Sequence, residues 1–271
     1  MAHSEKVAKR LLNILNDTLD SSERNKMANS TPVISVVIPT YLEEGTIAGS
    51  LRSVLSQEFS IGRIETIVVD SHSFDQTRAI ASKYADKVLD LKERGVGKAR
   101  NAGARIARGS ILLFLDADTI LEPHFIAEIY QNFNDPHVVC VSGILKNLET
   151  LKPIDRVFAI SHYGFLNLIA TVTAKLGSPA FSTVCCSCRK SAFEQMGGFV
   201  EDLAVAEDIT FSRQMGKVGK CMVNRKAIAY TSVRRISNCG KVEMYSQYFK
   251  NYIRVFILKQ KPWVQDFPSI R

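Results

Sequence analysis

Two carboxylates one residue apart follow a short apolar run in the middle of the chain. Ile111 to Leu115 are all apolar, and Asp116 and Asp118 come soon after them. A continuous apolar run predicts a strand buried on both faces of a sheet. Acids are costly inside such a core, so we expect them at the carboxyl end of the strand, where α/β sheets bind ligands. Paired carboxylates there suit Mg²⁺ or Mn²⁺, although two acids in a solvated loop would give the same pattern.

The segments before these acids alternate between strand and helix patterns. Strand patterns cover residues 33–38, 64–69, 88–91 and 111–115, and helix patterns cover 44–57, 76–86 and 98–108. This alternation predicts a parallel sheet covered by helices. Asp70 directly follows the second strand, so we expect it to lie at the same edge of the sheet as Asp116.

The alternation weakens after Asn134. Pro123 is expected to open a helix at its first position. Beyond it, we predict a strand at 137–145, a long helix at 153–176 and an extended segment at 181–189. A short helix with a capping box at 191–194 should end at Gly197-Gly198. A last helix at 209–215 should end at Gly216.

The bulk composition suits one large domain with an appendage. The chain has 271 residues, 46% of them hydrophobic. We expect a polar N-terminal segment at 1–31, a catalytic domain at 32–230 and a basic, helical appendage at 231–271. The first thirty residues resemble no secretory signal, and no apolar stretch reaches the roughly 18 residues that span a bilayer. These features predict a cytoplasmic protein.

The six cysteines include a single C-x-x-C pair, Cys185 and Cys188. A structural zinc site would need a second pair of ligands at a suitable spacing, and the sequence offers none. Free thiols in a reducing compartment are therefore the expectation, and zinc or redox chemistry is the alternative.

Positive charge is concentrated at the C-terminal end. The chain carries a formal charge of +8, and Lys217 to Arg271 alone contains twelve Lys or Arg against two acids. This segment predicts an anionic partner, but no nucleic-acid recognition module accompanies it. Apolar pairs recur every four residues from Met244 to Ile257. On a helix these pairs would form one apolar face with basic flanks. That face would either lie in the interface of an anionic membrane or pack on the protein core.

Two common nucleotide-binding signatures are missing. Gly95-x-Gly97-x-x-Arg100 lacks the third glycine of the dinucleotide fingerprint, and no P-loop sequence occurs. The stretch from Phe114 to Thr119 also resembles the nucleophile motif of haloacid-dehalogenase-type phosphatases. Those enzymes usually carry this motif on their first strand, whereas three predicted strands precede it here. A metal-dependent phosphatase therefore stays an alternative, as does a nucleotide-sugar-binding protein without turnover.

Five motifs in order resemble family 2 glycosyltransferases between about Val33 and Gly219. They are Val36-Val37-Ile38-Pro39-Thr40-Tyr41-x-Glu43-Glu44, Val68-Val69-Asp70-Ser71-x-Ser73-x-Asp75-x-Thr77, Gly97-Lys98-Ala99-Arg100-Asn101-x-Gly103, Asp116-x-Asp118, and Gly197-Gly198-Phe199 followed by Glu207-Asp208. The resemblance implies a GT-A fold and an inverting transfer of a sugar from a nucleoside-diphosphate sugar, UDP- or GDP-linked. The Q-x-x-R-W motif of processive synthases is absent, which favours a single transfer.

The resemblance also implies roles for individual residues. Asp118 would bind the metal at the diphosphate, Asp116 would face the ribose or the metal, and Asp208 would be the general base with Glu207 beside it. The nucleoside and phosphates would be held by Pro39, Tyr41, Glu43, Asp70, Lys98 and Arg100. The family often has Asp-Asp-Gly-Ser after the second strand, where this chain has Asp70-Ser71-His72-Ser73.

Two roles stay open. A hydroxyl acceptor needs a general base, which Asp208 would supply, whereas acids in the first turn of a helix also interact favourably with its dipole. Many similar enzymes act on polyprenyl-phosphate or other lipid-linked acceptors, so such an acceptor is a candidate. Arg234 and Arg235 would then bind donor or acceptor phosphate, and the protein would attach peripherally to the inner face of a membrane.

Overall fold

A computed structural model describes residues 30–148, 153–201, 203 and 207–232. Over these residues the chain forms one sheet of eight strands in the order β3-β2-β1-β4-β7-β6-β8-β5. The strands are β1 (Pro32–Thr40), β2 (Arg63–Asp70), β3 (Lys87–Asp90), β4 (Ile111–Leu115), β5 (Thr119–Leu121), β6 (Val138–Asn147), β7 (Cys185–Arg189) and β8 (Lys220–Thr231).

Helices cover both faces of this sheet. In the described ranges they are α1 (Ile47–Leu55), α2 (Thr77–Ala81), α3 (Val96–Ile106), α4 (Phe125–Asn132), α5 (Pro153–Lys175), α6 (Lys190–Gln195) and α7 (Glu207–Val218). The arrangement is an α/β sheet flanked by helices, as the sequence predicted, but the sheet is only partly parallel. The basic segment beyond Ser232 lies outside the described residues.

The first four strands in spatial order are parallel. β1 pairs with β2 and β4, and β2 pairs with β3, all in the same direction. Asp70 ends β2 opposite Thr40 of β1 and Asp90 of β3, while Asp116 directly follows β4. The carboxyl ends of these strands therefore form one edge of the sheet, as the strand–helix alternation predicted.

The second half of the sheet is mixed rather than parallel. β7 is antiparallel to both β4 and β6, β6 is parallel to β8, and β5 is antiparallel to β8. A strand buried on both faces shows a similar apolar run in either direction, so the sequence did not reveal the reversal at β7. The three-residue strand β5 was also missed, because it follows Asp118 with no room for a recognisable pattern.

Alternate residues of β4 point into two separate layers of the core. Ile111, Leu113 and Leu115 join one buried cluster with residues of α1 and α4. Leu112 and Phe114 join the other, in which the Phe114 ring lies 5.4, 5.0 and 5.9 Å from three further phenylalanine rings, those of Phe193, Phe199 and Phe211. These layers hold the carboxyl end of β4 in place.

Several helix boundaries differ from the sequence prediction; α1 and α3, for example, differ from it by two or three residues at each end. α2 ends at Ala81 rather than Asp86, because Asp86 is hydrogen-bonded to Thr66 of β2. Pro123 precedes α4 instead of opening it, and its carbonyl oxygen accepts a hydrogen bond from the Glu58 N–H.

The capping box at 191–194 does not form, since α6 already begins at Lys190 and no side chain caps it. α7 continues past Gly216 to Val218, whereas α6 does end at the two glycines of positive φ, Gly197 and Gly198.

The cysteines that the structure describes are buried free thiols, in agreement with the expectation. The Sγ atoms of Cys140 and Cys186 lie 3.4 Å apart on β6 and β7. Burial raises the pKa of the Cys140, Cys185 and Cys188 thiols well above its usual range, so thiolates are disfavoured there. These thiols therefore act as small apolar core residues.

Candidate active site

Asp116 and Asp118 lie on a turn between β4 and β5 at the carboxyl edge of the sheet. The Asp116 backbone N–H donates to Val184 and its carbonyl accepts from Thr119, each over 3.1 Å. Ala117 is buried between them, and both acidic side chains are partly exposed. The turn thus places two carboxylates at the surface while the strand that carries them stays fully buried. The predicted position of the pair is confirmed.

Arg100 connects this turn to α7. Its guanidinium is almost fully buried and lies 2.9 Å from Asp116 Oδ1 and 3.3 Å from Glu207 Oε1. It also lies over the Phe199 ring, with its central carbon 5.3 Å from the ring centroid. The two acids supply the paired charge that a buried guanidinium requires. Arg100 of α3 therefore brings the end of β4 and the start of α7 together, although these residues are far apart in the sequence.

Asp208 lies in the first turn of α7, next to Glu207. Its Oδ1 accepts from the backbone N–H of Ile209 over 2.8 Å. Burial together with the negative charges of Glu207 and Asp116 raises the pKa of Asp208 to about 7, although the Ile209 N–H and Arg100 oppose the increase. A carboxylate with a pKa near neutrality is suited to accept a proton from an attacking hydroxyl.

Asp70 is the last residue of β2 and lies at the same edge of the sheet. Its side chain is fully buried, and its oxygens accept from Thr40 Oγ1 at 2.9 Å and from Ser73 N and Oγ at 2.8 and 2.6 Å. The Arg78 Nε atom lies 3.6 Å away. Through the bonds to Ser73, Asp70 organises the loop that follows β2.

Tyr41 and Glu43 follow β1 at the same edge. The Tyr41 hydroxyl accepts a hydrogen bond from Arg94, whose guanidinium carbon stands 4.4 Å from the centroid of the Tyr41 ring. Glu43 Oε2 accepts from Thr46 Oγ1 at 2.6 Å, just before α1. The Arg94 guanidinium thus covers one face of the Tyr41 ring in a cation–π contact. Pro39 is partly buried within β1, two residues before Tyr41.

Lys98 precedes Arg100 by two residues, about half a turn of α3. Its Nζ is 2.5 Å from Glu93 Oε2 in the loop that precedes the helix. Lys98 is thus more exposed than Arg100 and closer to solvent at this edge. Arg234 and Arg235 lie outside the described residues, so their predicted contacts with phosphate stay predictions.

Sequence reasoning assigned no role to three residues at this edge: Arg94, His72 and Thr231. Arg94 stands in the loop before α3, and only its contact with Tyr41 reveals it. His72 has a positive φ of 60°, stands third in the motif where the family often has glycine, and is 3.0 Å from Asp90 Oδ1. The Thr231 hydroxyl is 3.5 Å from Asp118 Oδ1. A departure from the glycine of the motif was the one available signal, and it pointed to His72.

The comparison with protein families decides the class of the chain. The model of Glycosyl transferase family 2 matches residues 35–197, which is more than half of the chain. The chain is a family 2 glycosyltransferase. The matched residues contain most of β1, Asp70, Arg100 and both acids of the β4 turn, whereas Glu207 and Asp208 lie beyond them.

Curated relatives extend the similarity over most of the glycosyltransferase chain. Glycosyltransferase AglE of Haloferax volcanii is 25% identical over 251 residues, 90% of this chain and 79% of that protein. The O-antigen chain rhamnosyltransferase WbaN of Salmonella anatum is 29% identical over 248 residues, 87% of this chain and 76% of that protein.

Solved structures confirm the GT-A fold. The mannosyltransferase PcManGT of Pyrobaculum calidifontis, in complex with GDP-Man and Mn²⁺, has a TM-score of 0.65 and 22% identity over 95% of this chain and 72% of its own. Residues 1–349 of S. aureus TarS, in complex with UDP-GlcNAc, have a TM-score of 0.60 and 22% identity over 82% of this chain and 66% of that one. The nucleotide sugars and the Mn²⁺ are properties of those proteins.

Asp116 and Asp118 could bind a divalent cation only if a bound ligand supplied further oxygen atoms. Asp116 and Asp118 supply the carboxylate oxygens that Mg²⁺ and Mn²⁺ prefer. Across the described ranges, no cluster of three or more His, Cys, Asp or Glu side chains could hold a metal ion. A cation at this turn would therefore need diphosphate oxygens and water to complete its coordination, as Mg²⁺ commonly does.

Proposed function

We propose that this glycosyltransferase moves one hexose from a nucleoside-diphosphate sugar to an acceptor with inversion at the anomeric carbon. The observation that carries the proposal is the grouping of Asp116, Arg100, Glu207 and Asp208 beside Asp118 at one edge of the sheet. This grouping puts carboxylates suited to a metal-bound diphosphate near a carboxyl group whose pKa is about 7. The metal-binding carboxylates would activate the donor, and the nearby carboxyl group would remove the proton of the acceptor.

The donor would lie across the carboxyl ends of β1, β2 and β4. Tyr41 and Arg94 would stack against the base, with Pro39, Glu43 and the loop held by Asp70 around the nucleoside. Lys98 and Arg100 would face phosphate, and Asp116 and Asp118 would hold Mg²⁺ or Mn²⁺. The cation would neutralise the leaving nucleoside diphosphate. UDP and GDP are both candidates, because UDP-GlcNAc and GDP-Man occur in the structurally similar proteins.

Asp208 would act on the acceptor side. Inversion requires in-line attack on the face of the sugar opposite the leaving group, and Asp208 would take the proton of the attacking hydroxyl. Glu207 would support this role through its negative charge, which raises the pKa of Asp208. Because Arg100 also binds Glu207, the base and the donor site are held at one spacing.

The acceptor and the membrane are parts of the same proposal. We infer a lipid-linked or polyprenyl-phosphate acceptor, with Arg234 and Arg235 near donor or acceptor phosphate. The high positive charge of residues 217–271 would attract an anionic membrane surface at the inner, cytoplasmic face, by about 1 kcal/mol for each exposed Lys or Arg. Flotation with anionic liposomes at low and high salt tests this, and a protein that ignores them at low salt contradicts it.

The stereochemistry of transfer tests the function itself. Candidate UDP- and GDP-hexoses are incubated with the enzyme, Mn²⁺ and two kinds of simple lipid-linked acceptor, one with a free hydroxyl and one with a phosphate. The anomeric configuration of the product is read by NMR. An α-linked donor should give a β-linked product, and with the hydroxyl acceptor Asp208→Asn should give almost none. A retained configuration overturns the inverting mechanism. Tight nucleotide-sugar binding without transfer supports instead a binding protein without turnover.

A further inference from the structure

One helix of the described chain carries an exposed apolar stripe. Val157, Ile160, Phe165, Leu168 and Val172 of α5, with Leu176 just beyond its end, are 45–76% exposed. Their spacing of three to five residues puts them on one face of the helix. We call these six residues the α5 stripe. An apolar surface of this extent in a soluble protein indicates an interaction site.

The stripe cannot be covered by rotation of the helix. The opposite face of α5 is buried, with Ala159, Tyr163 and Ala170 against the sheet. Asn167 fixes its orientation, because its Oδ1 accepts from Leu145 N at 3.0 Å and its Nδ2 donates to Leu145 O at 2.9 Å. α5 is therefore locked on β6, and the stripe is a permanent feature of the outer surface.

By length and composition, the stretch from Arg156 to Lys175 could also cross a membrane, which the sequence analysis did not expect. Its attachment to β6 argues against this, since crossing would break the two Asn167 hydrogen bonds and expose the sheet. An interfacial position is also disfavoured, because residues 157–174 contain no Lys or Arg to pair with anionic headgroups.

The chain itself leaves the sheet beside α5. The Tyr163 hydroxyl donates to the carbonyl oxygens of Thr231 and Ser232, over 3.4 and 3.2 Å. Beyond Ser232 the sequence continues for 39 residues. The twelve residues up to Met244 can extend about 40 Å, which exceeds the roughly 35 Å length of a 23-residue helix such as α5. Every part of the stripe is therefore within reach of the following segment.

We propose that residues 244–257 pack as a helix on the α5 stripe. The apolar members of this segment recur with the period of a helix face, as those of the stripe do: Met244, Tyr245, Tyr248, Phe249, Tyr252, Ile253, Phe256 and Ile257. Lys250 and Arg254 fall between these pairs and would face solvent. The two apolar faces cover each other, and the positive charge of the segment stays outward.

Thiol labelling tests this contact in the full-length protein. Leu168→Cys and Ile61→Cys are made in a Cys239→Ser background, because Leu168 and Ile61 are 60% and 57% exposed but only Leu168 belongs to the stripe. We expect maleimide to modify the Leu168→Cys protein at least tenfold more slowly. Adding Tyr252→Asp and Phe256→Asp should remove this protection, whereas Asn251→Asp, on the polar face, should retain it.

A cross-link provides an independent measurement. Oxidation should form an intramolecular disulfide in the Leu168→Cys/Ile253→Cys protein or in its neighbour Leu168→Cys/Phe249→Cys, but not in Leu168→Cys/Asn251→Cys. Equal labelling of the Leu168→Cys and Ile61→Cys monomers overturns the proposal. Protection that rises with protein concentration assigns the stripe to a second copy of the chain, and protection that requires anionic liposomes assigns it to a membrane. Each of these two results also overturns the proposal.

Discussion

Asp208 is the residue on which the proposed chemistry depends most closely. Its carboxyl group is held at the start of α7 by the Ile209 N–H, close to the buried Arg100 but without an ion pair to it in the described structure. Burial together with the charge of Glu207 raises its pKa to about 7. An acid in the first turn of a helix would otherwise have a lowered pKa, because the helix dipole favours its charge. The raised pKa of Asp208 therefore favours a catalytic role over a role in stabilising the start of the helix.

Asp208→Asn should lower turnover by about two to four orders of magnitude, the usual contribution of general-base catalysis. Donor binding should be nearly unchanged, because the metal and diphosphate contacts are assigned to other residues. Steady-state kinetics and calorimetry measure the two effects separately. Asp135→Asn is the matched control, since Asp135 is an exposed acid paired with Lys220 in the loop before β6. Near-normal turnover in Asp208→Asn would mean a phosphate acceptor or a different base.

The pH dependence follows from the same residue. Asp208 must be ionised to accept a proton, so kcat/KM should increase as pH rises through about 7. Glu207→Gln removes a charge that raises this pKa, and the increase should therefore move to lower pH. Rate profiles of both proteins from pH 5 to 9 make the comparison. A midpoint that does not move in Glu207→Gln would exclude Asp208 as the group that titrates.

The sequence predicts the acids of the site better than their surroundings. Asp116 and Asp118 could be placed because an apolar run leads directly into them, and the geometry of a sheet edge then follows. The burial of Asp70 could not be predicted, because it depends on Ser73 and Thr40 turning their hydroxyls inward. The pairing of Tyr41 with Arg94 joins two loops that are distant in sequence, so no local pattern reports it.

At the scale of elements, Glu65 connects the parallel strands. Its buried carboxylate, on β2, accepts from Ser35 of β1 at 2.6 Å and from the backbone N–H of Arg108 at 2.9 Å, and Lys87 of β3 is 3.0 Å away. Burial would raise the pKa of Glu65, but Ser35, Arg108 and Lys87 outweigh it and lower this pKa from 4.5 to about 2. The carboxylate is thus a buried connection between neighbouring strands.

This depressed pKa predicts a pH-dependent stability. A carboxyl group with a lower pKa in the folded state stabilises the fold above its unfolded pKa, by about 3 kcal/mol here, and this contribution is lost as pH falls toward 2. Glu65→Gln should therefore be destabilised by about 3 kcal/mol at pH 7 and by much less at pH 3. Urea denaturation at both values measures the difference. Glu194→Gln, a surface control paired with Lys190, should change little at either pH; a Glu65→Gln deficit that persists unchanged at pH 3 contradicts the assignment.

The elements themselves were predictable where local pattern decides them. β1 to β4 and α5 were expected close to where they occur, because burial on both faces and long helical periodicity leave clear patterns. The length of α2 was not predictable, since Asp86 is hydrogen-bonded to Thr66 of β2 instead of extending the helix. The direction of β7 was not predictable either, because it depends on the path that the chain takes around α5.

At the scale of the whole molecule, the parallel half of the sheet and the mixed half have separate tasks in the proposal. The parallel half presents the donor residues, and α7 with the end of β8 approaches the acids from the other side through Asp208 and Thr231. Arg100 spans the two halves by its contacts with Asp116 and Glu207. In this proposal the catalytic base, Asp208, is far from the donor motifs in the sequence, and the contacts of Arg100 bring its helix close to Asp116 in space.

Binding of nucleoside diphosphates in the presence of Mn²⁺ tests the central claim most directly. Calorimetry with UDP and with GDP is carried out on the wild type, Asp118→Asn and the control Asp135→Asn, each with Mn²⁺ and with EDTA. We expect one nucleotide to bind wild type and Asp135→Asn much more tightly with Mn²⁺, and we expect Asp118→Asn to lose this metal-dependent gain. Unchanged, metal-dependent affinity in Asp118→Asn would contradict the claim that the turn after β4 holds the metal and the diphosphate.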